Sequence, residues 1–586
     1  MDLDKSPISI FLYLEIVYKM SSGDSLVFDM ANSPRSDAEV FVRKQWLSIN
    51  DSQNTEYGGN SATLETSALS NSNRYLDYRQ GYLTIPLLLT LTSDSVGTDK
   101  LAPATAATSC DYALGLKNWI GSVIHSLVVE FNGANVVQQS NLLPIFNNFK
   151  LMTTLSMSDY QMFSSIGFYP DTGTSVSFQT AASENGIGVA NNENAIAFPT
   201  TTGAFNSFTT GNKGLLKRQM YFNYDIDGVT SSAANSATYG TLLSSNYANQ
   251  LYKSRIFTKQ NATASLKGVY QQAITGVVYL RHLADIFNNM PLLKGIFMKM
   301  TLGLSNSSVA FNVTASNTIS SASVTNSLQG VQPLMISSAL AGNGLRSLPA
   351  DSYIASLSVG AKCLNPIQRN IQGVVTSPLA QSISLQVPSY TFQPQVELSY
   401  LSNPIKRIAY TDLYQYTIQN IAAGSAINSL VSNGISNMKK VICFMYYTAA
   451  ANGGIHQLQS PFDTAGSTTA PFATLTNFNV VVSGANTYEN SIKYGYSNFV
   501  ENVLGTNSVN AGLTDGLSSS LINSLDWETS YGYLVTNVSR MLAVEEDVPK
   551  SLSIIGTNAS AKECDIVVMV EYGTEIMVDA LTGSKV

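Results

Sequence analysis

Apolar positions along this 586-residue chain gather in short runs of strand length, separated by stretches of Ser, Thr, Asn and Gly. The first strong run, Gly81 to Leu91, reads GYLTIPLLLTL and suits a buried strand, and Pro86 places it at a sheet edge or a bulge because proline cannot donate to a ladder. Further strands are expected at 268–280, 295–304, 309–314, 331–340, 354–359 and 383–387, with a helix or turn at 281–293. A second set follows at 405–418, 441–448, 478–482, 531–538 and 566–572. Short strands joined by Gly- and Asn-rich turns indicate a sandwich or jelly roll, not alternating β and α units.

One element occurs twice. Trp119 to Val129 is a strand-like run, and Asn132-Gly133 after it is a hairpin signal because both positions tolerate positive φ. From Asn141 to Ser165 the apolar period changes: Leu143, Phe146, Phe149, Leu151, Leu155 and Tyr160 fit short helical segments lying against a barrel. In the second half NVVVSGAN at 479–486 echoes LVVEFNGAN at 127–135, and TYENSIKYGYSNFVENV follows with its own aromatic anchors. A strand, a tight turn and an aromatic-anchored excursion, once per half, is the pattern of a duplicated β domain. Gly133 and Gly484 are therefore the candidate structural turn residues, and Phe146, Phe149, Tyr496 and Phe499 the candidate anchors, with ordinary loop or core roles as the alternative.

The chain is too long for one core and divides on this pattern into a lead-in over 1–74, a first roll with long insertions over 75–375 and a second roll over 376–586. The stretches 168–211 and 230–249, poor in apolar anchors, are expected as long outer loops. At the start, Ile8 to Tyr18 is apolar, but Asp2 and Asp4 precede it, Glu15 interrupts it and it is too short to span a bilayer, so an arm or surface-docking segment is expected.

Only 12% of residues are charged, against roughly 25% in ordinary soluble proteins. Ser, Thr and Asn supply the polarity instead, and they can sit in broad, wet protein contacts without the desolvation cost of Lys or Glu. The net charge of −7 and the absence of an Arg-rich arm argue against direct, sequence-specific nucleic-acid binding. Cys110, Cys363, Cys443 and Cys564 lie far apart and read as thiols of a reducing compartment. His125, His282 and His456 belong to no metal or catalytic motif, and Asp225 and Asp227 form only a fragment of a calcium loop. Asp159, Asp285, Asp526 and Glu528 show no spacing that selects a hydrolase. No catalytic residue, cofactor or metal site is expected.

IHSLVVEFNGANVV at Ile124 to Val137, FKLMTTLS at Phe149 to Ser156 and LTNFNVVVSGANTYE at Leu475 to Glu489 resemble the double jelly-roll major capsid proteins of polinton-like viruses and virophages. The resemblance implies an all-β protein of two tandem eight-stranded jelly rolls, a helix after the F strand of each roll, and a homotrimeric capsomer of pseudo-hexagonal outline. It also implies contacts with neighbouring capsomers, penton and minor capsid proteins in an icosahedral virion assembled inside the host cell. The N-terminal arm matches no part of that pattern, and contact with an internal membrane is one role open to it. A surface or secreted β-sandwich protein binding glycans or a receptor is the alternative, and a polysaccharide-cleaving enzyme a third reading, weakened by the presence of only three Trp.

Overall fold

The structure, a computed structural model, describes residues 40–51, 57, 61–67, 74–93, 114–117, 119–139, 142–155, 166–170, 177–179, 195–197, 253–258, 269–313, 319–326, 330–336, 350–360, 382–451, 454–461, 475–492, 521, 533–539 and 547–585. Eight strands of the first half build two sheets: β1 (Phe41–Asn50), β2 (Ser61–Glu65), β3 (Tyr82–Ser93), β4 (Ile124–Phe131), β5 (Ala134–Gln139), β6 (Val269–Tyr279), β7 (Met298–Leu304) and β8 (Ser384–Phe392). They are ordered β1-β8-β3-β6 and β2-β7-β4-β5. The second half supplies β9 (Ile405–Ile421), β10 (Ala426–Ile435), β11 (Met438–Tyr447), β12 (Leu475–Val482), β13 (Ala485–Asn486), β14 (Leu534–Asn537), β15 (Lys550–Asn558) and β16 (Cys564–Asp579). Their orders, β9-β16-β11-β14 and β10-β15-β12-β13, repeat the first pair with eight added to every number. First-eighth-third-sixth against second-seventh-fourth-fifth is the order of a jelly roll, so the chain is a double jelly roll.

Each roll closes its sandwich by alternation. Leu83, Ile85, Leu87, Leu89 and Leu91 point from β3 into the core and are fully buried, as are Met298, Met300, Leu302 and Leu304 of β7. Burial of each such side chain contributes roughly 1.5 to 3 kcal/mol. In the second roll Ile566, Val568 and Val570 of β16 are fully buried while Glu575, toward the same strand's far end, is exposed.

Pro86 is not at a sheet edge. On one side β3 pairs with β6, Pro86 standing opposite Thr275. On the other, β8 pairs with Tyr82 to Thr84 and an inserted strand, Asp351–Val359, takes over from Leu87 to Ser93. Pro86 falls at the handover, where a missing N–H interrupts neither ladder, and its carbonyl accepts from Gly360 N at 2.9 Å. The inserted strand continues the sheet into Ser307–Val313 and Ile319–Asn326.

Strand pairing also moves the expected boundaries. β1 and β2 lie inside the stretch read as a lead-in, and β8, read as part of the second roll, pairs with β3 of the first. The exposed positions of β1 mix Val42 and Trp46 with Arg43, Lys44, Ser48 and Asn50, so no clean apolar alternation marks the strand. The join between the rolls therefore falls between Phe392 and Ile405, not near 376. Residues 45–389 and 404–586 form one compact unit, and residues 1–44 with 390–403 a second, small one. In the small unit Phe41 packs on Tyr390 and Phe392 at 4.6 and 5.0 Å, and Phe392 stacks on Tyr400 at 5.2 Å. The expected loops at 230–249, and most of 168–211, lie outside the described residues.

Candidate assembly interface

The two proposed turn glycines occupy the same place in the two rolls. Asn132 and Gly133 join β4 to β5 with φ of +48° and +82°; Ser483 and Gly484 join β12 to β13 with +50° and +84°. Two consecutive positive φ values in a two-residue loop make a type I′ turn, whose twist matches that of the flanking strands. A Cβ on either glycine would meet no atom within 4 Å, so replacing it acts through the backbone alone. Gly133→Ala and Gly484→Ala should each cost about 1 to 2 kcal/mol, and Gly133→Asn less, measured as the shift in denaturant midpoint. Equal stability of the Ala and Gly forms would contradict the turn assignment.

After β5 the chain enters α1 (Leu143–Thr154), within the region where the period change predicts helix, and Phe146 and Phe149 are both buried there. Tyr496 and Phe499 lie outside the described residues. The helix forms with Pro144 in its first turn, where the missing N–H is harmless.

Helix α1 and β5 do not pack only within their own roll. The Phe149 ring stands edge-on to Phe444 of β11 at 5.8 Å and to Tyr533 at 5.2 Å, and Leu521 N donates to Met152 O at 2.9 Å. Tyr410 of β9 donates its hydroxyl to Val136 O of β5 at 2.5 Å, and Gln139 Nε2 reaches Asp412 Oδ1 at 3.4 Å. Asp285 Oδ2 accepts from both N and Oγ1 of Thr411 at 3.0 Å, and its other oxygen lies 3.8 Å from Lys150 Nζ. Lys440 and Glu571, 3.8 Å apart on the facing roll, complete a half-buried group of four charges.

Burial alone disfavours ionised Asp285, yet the Lys150 ammonium and the bonds from Asn288 and Thr411 outweigh it and hold its carboxyl below the usual range. Asp412 goes the other way: burial pushes its carboxyl up despite donors from Leu413 N, Gln139 and Tyr572. A third tie is Lys117, whose side chain is fully buried and whose Nζ donates to Gln457 O at 3.3 Å and Ser460 O at 3.0 Å. Beside it Gln332 N donates to Leu458 O and Ile336 N to Pro461 O, both at 2.9 Å. Sequence reading missed Lys117 and Asp412 because nothing in GLKNW or TDLY distinguishes a buried charge from an exposed one.

The histidines have structural places. His125 is buried in β4 and leans over Gly303, where a Cβ would lie 2.5 Å from its Nε2. His456 Nδ1 accepts from Leu458 N at 3.1 Å, so Nε2 carries the proton and donates to Asp565 Oδ2 at 3.2 Å. Asp565 is further engaged by Asn420 N at 2.8 Å. Cys443 and Cys564 are buried, and burial pushes the Cys564 thiol up to about 12. Among the described residues no group of three or more His, Cys, Asp or Glu could hold a metal ion, and no helix is long and apolar enough to cross a membrane. Asp159, Asp225, Asp227, Asp526 and Glu528 lie outside the described residues. What the described residues assemble is a seam.

No family model and no curated protein matches the chain. Among solved structures it is similar to a chain of the Sputnik virophage, with 13% identity, 94% of this chain and 89% of that one covered, and a TM-score of 0.46. It is also similar to the mavirus major capsid protein, with 9% identity, 95% and 93% covered and a TM-score of 0.40. The Faustovirus major capsid protein shows 11% identity, 97% of each chain covered and a TM-score of 0.40. Likenesses this distant add no weight of their own, and the assignment of the chain to the double jelly-roll fold rests on its strand order.

Proposed function

We propose that this chain is the major capsid protein of an icosahedral double-stranded DNA virus, three copies of which form a capsomer of pseudo-hexagonal outline. One observation carries the reading: the same jelly roll occurs twice, and the seam between its copies is one-way. The β5 and α1 side of the first roll meets the β9, β16 and β11 side of the second. A contact between two different sides of like units is heterologous, and repeated by a rotation that closes it generates a ring. Three chains would supply six rolls to such a ring.

A lightly charged surface favours the tiling of capsomers against one another without large repulsion. Neighbouring capsomers and the penton and minor proteins of the virion are the partners this reading requires. Electron microscopy and native mass measurement of the purified full-length chain test it. Threefold particles with a pseudo-sixfold outline are expected; a monodisperse monomer under assembly conditions would overturn the reading and favour a surface or secreted binding protein.

A further inference from the structure

Five Asn-Gly pairs occur in the chain, and the peptide N of a glycine is the least hindered nucleophile that a backbone offers to the asparagine before it, because no Cβ shields it. Asn185-Gly186, Asn343-Gly344 and Asn452-Gly453 lie outside the described residues. In the other two pairs, Asn132-Gly133 and Asn433-Gly434, all four residues are exposed, so neither the dipeptide nor access to water separates them. Their geometry does.

Asn132 is clamped. Its Nδ2 donates to Gly583 O at 2.6 Å, its Oδ1 accepts from Phe297 N at 3.1 Å, and its own N donates to Phe297 O at 2.8 Å. Backbone groups of two other segments thus hold both ends of the side-chain amide, and its Cγ cannot turn toward Gly133 N until those bonds break. Asn433 sits instead in a break of the β10–β15 ladder. Ser432 pairs with Leu552 and Ile435 with Lys550, so Asn433 and Gly434 together face Ser551, the two-against-one count of a β-bulge. Gly434 N donates to the Ser432 hydroxyl at 3.2 Å, a local bond that water can replace. A Cβ at Gly434 would meet no atom within 4 Å, which leaves room for a ring to close.

We infer that Asn433-Gly434 is a site of spontaneous covalent modification, where Gly434 N attacks Asn433 Cγ to form a succinimide, and that the Asn132 clamp withholds the same reaction from the β4–β5 turn. As the new N–C bond forms, the Gly434 amide proton passes to solvent; the Cγ–Nδ2 bond breaks and ammonia leaves with a proton from water. Water then opens the ring at either carbonyl to leave aspartate or isoaspartate, with no change of oxidation state. Either product places a new carboxylate on the exposed part of β10, and isoaspartate also lengthens the backbone by a methylene where the bulge already departs from the ladder. At Asn132 the same change would replace the donor to Gly583 O by a carboxylate oxygen facing that carbonyl. The inference is independent of the capsomer reading.

Peptide mapping by mass spectrometry of the purified full-length chain, kept native at mildly alkaline pH, reads both sites in one sample. Asn433 should deamidate at least about tenfold faster than Asn132, since two hydrogen bonds must be lost at Asn132 before attack. In denaturant the two rates should converge, because both asparagines then precede glycine in an open chain. Gly434→Ala, at a position with space for the methyl group and no positive φ, should slow the reaction at 433 and leave that at 132 unchanged. Equal native rates, a difference that persists in denaturant, or a folded Gly434→Ala protein that reacts at 433 like wild type would each overturn the inference.

Discussion

Phe149→Ala should lower the unfolding free energy by about 3 to 5 kcal/mol, the cost of emptying a well-packed aromatic site. The ring is buried between α1 and the second roll, with Phe444 and Tyr533 both edge-on within 6 Å, and those two rings also face each other at 5.4 Å. Phe444 and Tyr533 are themselves buried and held by each other, so the cavity they border should stay largely open. The loss falls on the seam, and limited proteolysis should cut between the rolls, near 393–404, sooner than in wild type. Leu398→Ala, at a position 73% exposed in α2 (Pro394–Leu401), should shift stability by no more than about 0.5 kcal/mol. A midpoint for Phe149→Ala within that same margin would mean that α1 does not hold the rolls together.

Acid should loosen the same region. His282 has its pKa lowered from 6.5 to about 3, first by burial and then by the positive charges of Arg281 and Lys150. Its ring stands edge-on to Trp119 at 6.2 Å and Tyr279 at 5.7 Å, surroundings that favour the neutral imidazole. Between those two pKa values the unfolded chain binds the proton and the native one does not. Stability therefore rises with pH through this window and is lost as pH falls from 6.5 toward 3, by at most roughly 4 to 5 kcal/mol.

Asp285 adds to the acid loss below the ordinary carboxylate range, because its depressed pKa supplies stability present only above that range. Asp412, with its pKa raised, opposes both: its native carboxyl takes up a proton before the unfolded one does and gains stability as pH falls. Denaturant midpoints from pH 7 to pH 4 should fall in wild type and fall less in His282→Gln. Parallel curves for the two proteins would remove His282 as the source.

Legibility of the fold followed the range of the interactions involved. The turns at Asn132-Gly133 and Ser483-Gly484 are written in adjacent residues, because positive φ is a property of the residue itself, and each roll places its turn between its fourth and fifth strands. The strands β3, β11 and β16 are visible because each carries a long apolar run. In β10 and β15, AINSLVSNGI and KSLSIIGTN, polar residues interrupt the pattern, since one face of each sheet meets solvent. Neither was recognised from sequence.

What the sequence alone determined is the class of fold, its duplication, the two tight turns and the helix that follows the first of them, all of them local preferences of neighbouring residues. Tertiary structure decided that β1 and β8 complete the first roll, that Pro86 sits between two ladders, and that Lys117 and Asp412 are buried in the seam. The partners concerned lie far away in the chain: Gln457 and Ser460 stand 340 and 343 residues from Lys117. Strand pairing and charge burial are settled by what packs across the gap, and no window of neighbouring residues contains that information.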